Sequence, residues 1–157
     1  MLKYILVSAA FASLGSLPVL ACDGEEHAQT AQIGNVTVDQ LASKLATAKK
    51  APAGKATLAI FDANTAQTRA EKGVIPTAIL LASSSDYDTA LLPKSKGDEL
   101  VFYCAATKCG ASHTAAQRAL EAGYTNVKVL PEGIAGWVKA GKATQKIKAP
   151  VEAPAQG

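Results

Sequence analysis

Two kinds of segment alternate along the chain, and their alternation predicts an α/β domain. Continuous apolar runs are typical of strands that are buried on both faces of a sheet, and they occur at 57–61, within 74–81 and at 100–103. The segment "VKVL" at 127–130 is predicted as another strand. Helices are predicted from apolar spacing and from capping and breaking residues at 37–50, 65–73, 112–123 and 133–141. Because helices separate the successive short strands, we expect a mainly parallel central sheet.

Capping residues set the ends of the predicted helices. Thr37 and Gln40 form a capping-box pattern at the start of the first helix. Ser112 is the candidate N-cap of the third helix, and Gly123 is expected to end it. The last short helix is expected to bury Trp137.

The first residues of the chain have the pattern of an export signal. Lys3 is followed by an apolar stretch that ends at the small residue Ala21, so residues 1–21 are predicted to be a cleaved signal peptide. The sequence "VLAC" that ends at Cys22 fits ordinary signal peptidase and also resembles a bacterial lipobox, in which Cys22 is lipidated. The protein is therefore expected to be exported, either as a periplasmic protein or as a lipoprotein anchored to the membrane through Cys22.

Composition and charge bound the rest of the chain. With 48% hydrophobic and 18% charged residues, the chain can bury a packed core. The polar segment 22–32 is predicted to be a flexible tether, 33–143 the folded domain and 144–157 a disordered tail. The net charge of +3 is spread without a basic stripe, so nucleic acid is not an expected partner. His27 in the tether has no fixed neighbours, and no metal site is expected.

Two of the three cysteines lie on one short loop, in "VFYCAATKCGAS" at residues 101–112. Cys104 directly follows a buried strand, and Asp62 directly follows the strand at 57–61. Parallel sheets bind their ligands at the carboxyl ends of the strands, so both residues lie where a site is expected. Backbone N–H groups of the loop and of the next helix favour negative charge on sulfur. The sequence therefore predicts a lowered pKa for Cys104.

Four segments, taken in order, resemble the rhodanese family. They are "TVDQLASKL", "LAIFDAN", "GVIPTAILL" and "VFYCAATKCGASHTAAQRALEAGYTNVKVLPEGIAGW", and the resemblance runs from about Ile33 to Gly141. It implies a single rhodanese-like domain, three-layered α/β/α with a mainly parallel central sheet, in an exported bacterial protein. It also implies a sulfurtransferase or sulfane-sulfur carrier, whose loop cysteine takes a sulfur from a donor and passes it to a thiophilic acceptor.

The resemblance assigns roles to individual residues. Cys104 matches the sulfur-accepting nucleophile and is expected to carry a persulfide, while Asp62 matches a strand-end Asp that is usually structural. The loop amides that would cradle the anionic sulfur are those of Ala105, Ala106, Thr107, Lys108, Cys109 and Gly110. The donor would be a small sulfur-containing anion and the acceptor a thiol or a cyanide-like molecule, with no cofactor.

The chain also departs from the family pattern. Asn64 stands where the family usually has Arg, Val74 where it often has His, and Glu132 in place of a glycine before the last helix. The loop from Cys104 to Ser112 is about two residues longer than usual. It holds no Arg, which argues against the phosphatases of this fold, because they clamp phosphate with a loop Arg.

Cys109 and its neighbours leave alternatives open. Cys109 is either a resolving thiol that closes a disulfide with Cys104 or a buried structural cysteine. Ser112 could line the anion site, and His113 could stabilise a thiolate or relay a proton, although a His in a first helical turn is more often only half-exposed. Two other functions follow from these alternatives: a thiol–disulfide redox protein that uses Cys104 and Cys109, or a catalytically silent rhodanese-fold binding module.

Overall fold

The structure, a computed structural model, describes residues 32–48, 50 and 58–147. Within these residues the strands are β1 (Gly34–Asn35), β2 (Leu58–Asp62), β3 (Ile79–Leu80), β4 (Glu99–Tyr103) and β5 (Val127–Leu130). The α-helices are α1 (Val38–Ala48), α2 (Ala66–Lys72), α3 (Ala111–Glu121) and α4 (Gly133–Lys139), with a 3₁₀ turn at Thr89–Leu91. The predicted alternation of strands and helices is confirmed.

The strands form one parallel sheet in the order β1-β5-β4-β2-β3. Strand β4 lies at its centre, and Asp62 of β2 is in register with Tyr103 of β4. The carboxyl ends of these two strands are therefore level, and Cys104 follows at the same edge. Strand β1 was not predicted, because Gly34 and Asn35 form no apolar run.

Side chains of the central strand alternate between two hydrophobic clusters, and this alternation builds the three layers. Leu100 and Phe102 belong to the cluster that includes the buried alanines of α3. Val101 and Tyr103 belong to the cluster that α1 and α4 cover, where Trp137 is buried as predicted. The three-layer α/β/α fold that the resemblance implied is confirmed.

The helix ends agree with the sequence at two points and differ at one. The Thr37 N–H bonds the Gln40 Oε1 at 3.0 Å, and the Gln40 N–H bonds the Thr37 Oγ1 at 3.3 Å, which is a capping box. Gly123 follows α3 with a left-handed φ of 89°, as predicted. Ser112 is not the N-cap, because α3 begins at Ala111 and Gly110 occupies the cap position without a side-chain bond.

The folded part of the chain continues past the boundary predicted at residue 143. Val74 and Gln145 form an isolated antiparallel bridge, with N–H to carbonyl distances of 2.9 and 2.8 Å. The predicted signal peptide, Cys22 and His27 lie outside the described residues, as do residues 148–157 of the predicted tail. In the described part of the chain, no helix is both long enough and apolar enough to cross a membrane.

Gly133 brings the start of α4 against the end of β4. The N–H of Ile134 donates to the Cys104 carbonyl at 2.9 Å, and the N–H of Ala135 donates to the Ala105 carbonyl at 3.1 Å. Gly133 has a φ of 57°, and a Cβ on it would lie 2.3 Å from the Cys104 carbonyl oxygen. Only a glycine allows this approach, so Gly133 fixes where the cysteine loop begins.

We predict that Gly133→Ala destabilises the protein more than Gly141→Ala does. Both glycines have a positive φ, but nothing lies within 4 Å of a Cβ on Gly141, so that variant pays only the left-handed strain of about 1–2 kcal/mol. Gly133→Ala adds a collision with the backbone of Cys104. The free energy of unfolding from chemical denaturation measures both losses, and equal losses would show that the close approach is not real.

Candidate active site

A buried carboxylate organises the strand ends below the loop. Asp62 is fully buried, and it accepts hydrogen bonds from the Tyr103 hydroxyl at 2.5 Å, from the Asn64 N–H at 2.7 Å and from the Arg69 Nε at 3.2 Å. The Arg69 Nη2 also donates to the Asp62 and Leu81 carbonyls, at 2.9 and 2.8 Å. Asp62 thus ties β2 to β4 and α2, which fits the structural role that the resemblance implied.

Tyr103 has a polar role that the sequence analysis missed. Its hydroxyl donates to Asp62 and accepts the Ile75 N–H at 3.0 Å. Burial, followed by the charge and hydrogen bond of Asp62, raises the pKa of Tyr103 far above its ordinary value. The tyrosine therefore stays protonated, and it holds the last residue before Cys104 in place. The sequence did hold a signal for this hydrogen bond: Asp62 ends a buried strand, and a buried charge needs hydrogen-bonding partners.

The Cys104 sulfur lies under the loop in polar surroundings. Cys104 is only 2% exposed, yet its Sγ lies 3.0 Å from the Cys109 carbonyl oxygen and 3.4 Å from the Ser112 Oγ. The Ser112 N–H also points at this sulfur. The thiol is therefore not sealed among apolar side chains, but one of its closest neighbours is a carbonyl oxygen, which disfavours negative charge on it.

The Cys109 sulfur has the surroundings that favour a thiolate. Cys109 is half-buried, and the Cys104 thiol and the N–H groups of Ala105 and Ala111 lie near its sulfur. Burial acts to raise the pKa of Cys109, but these three donors together outweigh burial and lower it. The more accessible of the two sulfurs is thus also the one that loses its proton more readily.

The predicted lowering of the Cys104 pKa is wrong. The pKa of Cys104 is raised, whereas the pKa of Cys109 is lowered. Burial raises the pKa of Cys104, and the hydrogen bond to Cys109 adds to the rise, whereas the Ser112 hydroxyl and N–H act in the opposite direction. The expected N–H groups are present at the loop, but two of them point at Cys109 instead. When the pair loses one proton, Cys109 therefore gives it up more readily than Cys104 does.

Two of the six loop amides that the resemblance implied as a cradle for the Cys104 sulfur have other partners. The Ala105 N–H serves the Cys109 sulfur, and the Cys109 N–H closes a turn with the Ala106 carbonyl at 2.9 Å. Ala106, Thr107 and Lys108 form the exposed tip of this turn, and Gly110 follows it, also exposed. The turn covers Cys104 and leaves Cys109 nearer to the surface.

The two supporting residues predicted next to the loop differ in their placement. Ser112 is buried and contacts the Cys104 sulfur, which fits a role in lining the anion site. His113 is exposed and lines a groove along α3 with Gln117, Arg118 and Glu121. Within the described residues no hydrogen bond joins His113 to either thiol, so the structure does not bring it to the sulfur pair.

Comparisons with known proteins agree with this fold. A family model, the rhodanese-like domain, matches residues 38–140. The rhodanese-like domain of an Anabaena protein is similar in structure, with a TM-score of 0.57 and 23% identity over 80% of this chain and 88% of that chain. The comparison with curated proteins finds no match.

Two further solved structures carry descriptions that concern chemistry. A Rhodopseudomonas palustris protein of unknown function, described as a possible tyrosine phosphatase, has a TM-score of 0.56 and 19% identity over 72% of this chain and 85% of its own. A thiosulfate sulfurtransferase from Pseudomonas aeruginosa has a TM-score of 0.54 and 19% identity over 73% of this chain and 20% of its own. At these identities the likeness establishes a shared fold.

We predict that the two thiols shift each other's titration in a Cys22→Ser background. Cys109→Ala should lower the pKa of Cys104, because it removes the sulfur that accepts the Cys104 proton. Ser112→Ala should raise the pKa of Cys104, because its hydroxyl stabilises the thiolate. The pH dependence of Cys104 alkylation by iodoacetamide, followed by mass spectrometry of the peptide, measures both shifts. Shifts in the same direction, or none, would contradict the assigned contacts.

Proposed function

Because the chain belongs to the rhodanese-like domain family, we propose that it is a sulfurtransferase or sulfane-sulfur carrier. In this proposal Cys104 takes a sulfur from a small sulfur-containing anion and holds it as a persulfide. A thiol or a cyanide-like molecule then accepts the sulfur. The observation that carries the proposal is the position of Cys104 at the carboxyl end of the central strand, with a second cysteine, Cys109, held against its sulfur.

Cys109 supplies the base that Cys104 lacks. Cys109 lies against the Cys104 sulfur and its pKa is lowered, so in this proposal the Cys109 thiolate receives the proton as Cys104 attacks the donor. This transfer makes Cys104 nucleophilic although its own pKa is raised. The N–H and hydroxyl of Ser112 face the Cys104 sulfur, where they stabilise the negative charge that forms on it as its proton leaves.

Donor access requires the turn over Cys104 to move. Cys104 is 2% exposed, and the turn that covers it is closed by a backbone hydrogen bond from the Cys109 N–H to the Ala106 carbonyl. Opening that bond costs little, because a typical net hydrogen bond contributes about 1 kcal/mol. A small anion is therefore a better donor for this site than a bulky one.

The loop chemistry favours sulfur transfer over phosphate chemistry. The segment from Ala105 to Gly110 carries no Arg, and its single cation is the exposed Lys108. A lysine offers a point charge and not the planar fork that clamps a phosphate. A second candidate function is thiol–disulfide exchange, which the contact between Cys104 and Cys109 favours. The remaining alternative, a catalytically silent binding module, would not account for this pair of thiols.

The partners and location of the proposed carrier follow from the sequence. The apolar stretch that ends at Ala21 and the "VLAC" motif at Cys22 support export, as a periplasmic protein or a lipoprotein. An oxidising compartment would expose both loop thiols to oxidation. A protein in that location needs acceptors that reach it outside the cytoplasm, such as small thiols.

We predict that Cys104 is essential for sulfur transfer and that Cys109 is not. In a Cys22→Ser background, thiocyanate formation from thiosulfate and cyanide should fall by a factor of about 10³ or more in Cys104→Ser. Cys109→Ser should be slower than the parent protein but clearly active, because it loses only the base. The initial rate of thiocyanate formation measures both effects. Inorganic polysulfide serves as a second donor, and a Cys104→Ser variant that keeps the parent rate with either donor would contradict the proposal.

A further inference from the structure

The position of Cys109 has a chemical consequence beyond accepting a proton. The Cys104 sulfur lies 3.0 Å from the Cys109 carbonyl oxygen, so Cys109 lies against that sulfur itself, and the two thiols shift each other's pKa. In a persulfide on Cys104 that atom is the inner sulfur, and the transferable outer sulfur extends away from the protein chain. An attack on the inner sulfur expels the outer sulfur, whereas an attack on the outer sulfur transfers it to the attacking group. Cys109 lies next to the inner sulfur, so its attack would expel the outer sulfur.

We propose that this chain releases its bound sulfur as hydrosulfide, with Cys109 attacking the Cys104 sulfur to form an intramolecular disulfide. This inference rests on the proposed function, because it needs a persulfide on Cys104. It adds an activity, the reduction of a sulfane sulfur to sulfide. The chain thereby acts as a sulfide-releasing enzyme as well as a carrier.

The step balances in atoms, electrons and protons. Cys109 holds the proton that it received from Cys104, and the outer sulfur of the persulfide carries a negative charge. As the bond between the Cys109 and Cys104 sulfurs forms, the bond from Cys104 to the outer sulfur breaks and its electron pair leaves with that sulfur. The proton passes from Cys109 to the leaving sulfur, which departs as hydrosulfide. The outer sulfur is reduced, and the two cysteine sulfurs are oxidised to the disulfide.

The backbone of the loop is already arranged for this disulfide. The Cys109 N–H is bonded to the Ala106 carbonyl at 2.9 Å, and the Cys109 carbonyl oxygen lies 3.0 Å from the Cys104 sulfur. The two cysteines are thus held side by side before any reaction, so joining them costs little further chain entropy. The N–H groups of Ala105 and Ala111 lie near the Cys109 sulfur, where they stabilise the negative charge that forms on it as its proton passes to the outer sulfur.

The exposure of the two sulfurs sets how the oxidised pair is reduced again. Two thiols, or one dithiol, must supply the electrons. Cys109 is half-buried whereas Cys104 is 2% exposed, so an external thiolate reaches the Cys109 sulfur first and forms a mixed disulfide there. Cys104 is then the leaving group and recovers its proton, and a second thiol frees Cys109. The reductant class is therefore a small thiol or a dithiol protein that can contact the loop tip.

The test measures sulfide from reduced full-length protein that carries Cys22→Ser, kept anaerobic and mixed with thiosulfate alone. With no thiol or cyanide present, we expect sulfide in stoichiometric amount with the protein, and an intact mass lower than that of the reduced protein by two hydrogens. Cys109→Ser and Cys109→Ala should keep the extra sulfur and release sulfide at least about a hundredfold more slowly, since well-oriented intramolecular attack has effective molarities of about 10⁵ M or more. The protein with its natural Cys22 is the control for removing a cysteine elsewhere.

The outcomes separate this inference from the proposed function. A parent protein that gains one sulfur but releases no sulfide would overturn the inference and leave the proposed function intact, as would an extra sulfur found on the Cys109 peptide. A protein that gains no sulfur in any variant would overturn the proposed function and the inference with it. Sulfide release that persists unchanged in both Cys109 variants would also overturn the inference, because it would need no resolving thiol.

Discussion

The contact between Cys104 and Cys109 on one loop is the constraint on which the proposed chemistry of this protein depends. Burial and a facing carbonyl oxygen keep the proton on Cys104, while three donors lower the pKa of Cys109. Because the two sulfurs are coupled, neither has an acid strength of its own. The proposed attack on a sulfur donor, the proton transfer that accompanies it and the later release of sulfide all use this contact.

The fold supplies the geometry that brings these sulfurs together. Asp62 and Tyr103 join the ends of two neighbouring strands through a buried hydrogen bond, so the chain leaves β4 at a fixed point. N–H groups in the first turn of α4 then donate hydrogen bonds to the Cys104 and Ala105 carbonyls, and only a glycine at position 133 permits this close approach. From that point the turn closed by Cys109 has a defined path. The loop is therefore positioned by rigid elements on both sides, as an active site requires.

Much of the fold was predictable from local patterns, and the charge state of the site was not. Continuous apolar runs identified β2 and β4, because strands buried on both faces are mostly apolar, and three apolar residues around Lys128 identified β5. They could not identify β1, whose Gly34 and Asn35 contribute only backbone to the sheet edge. The spacing of Cys104 and Cys109 placed two thiols near N–H groups, but which sulfur those groups face depends on the path of the loop. The prediction of Ser112 as the N-cap failed because α3 begins one residue earlier, at Ala111. The Ser112 side chain therefore faces the Cys104 sulfur instead.

The unequal sharing of one proton is best tested by carbon-13 NMR of protein labelled at its cysteines, in a Cys22→Ser background. The Cβ shift of each cysteine reports its own ionisation as the pH is raised. The account predicts that Cys109 titrates first, below the range of an ordinary thiol, and that Cys104 titrates later and above that range. Cβ shifts that titrate together near the ordinary thiol pKa, or a Cys104 shift that moves first, would contradict it.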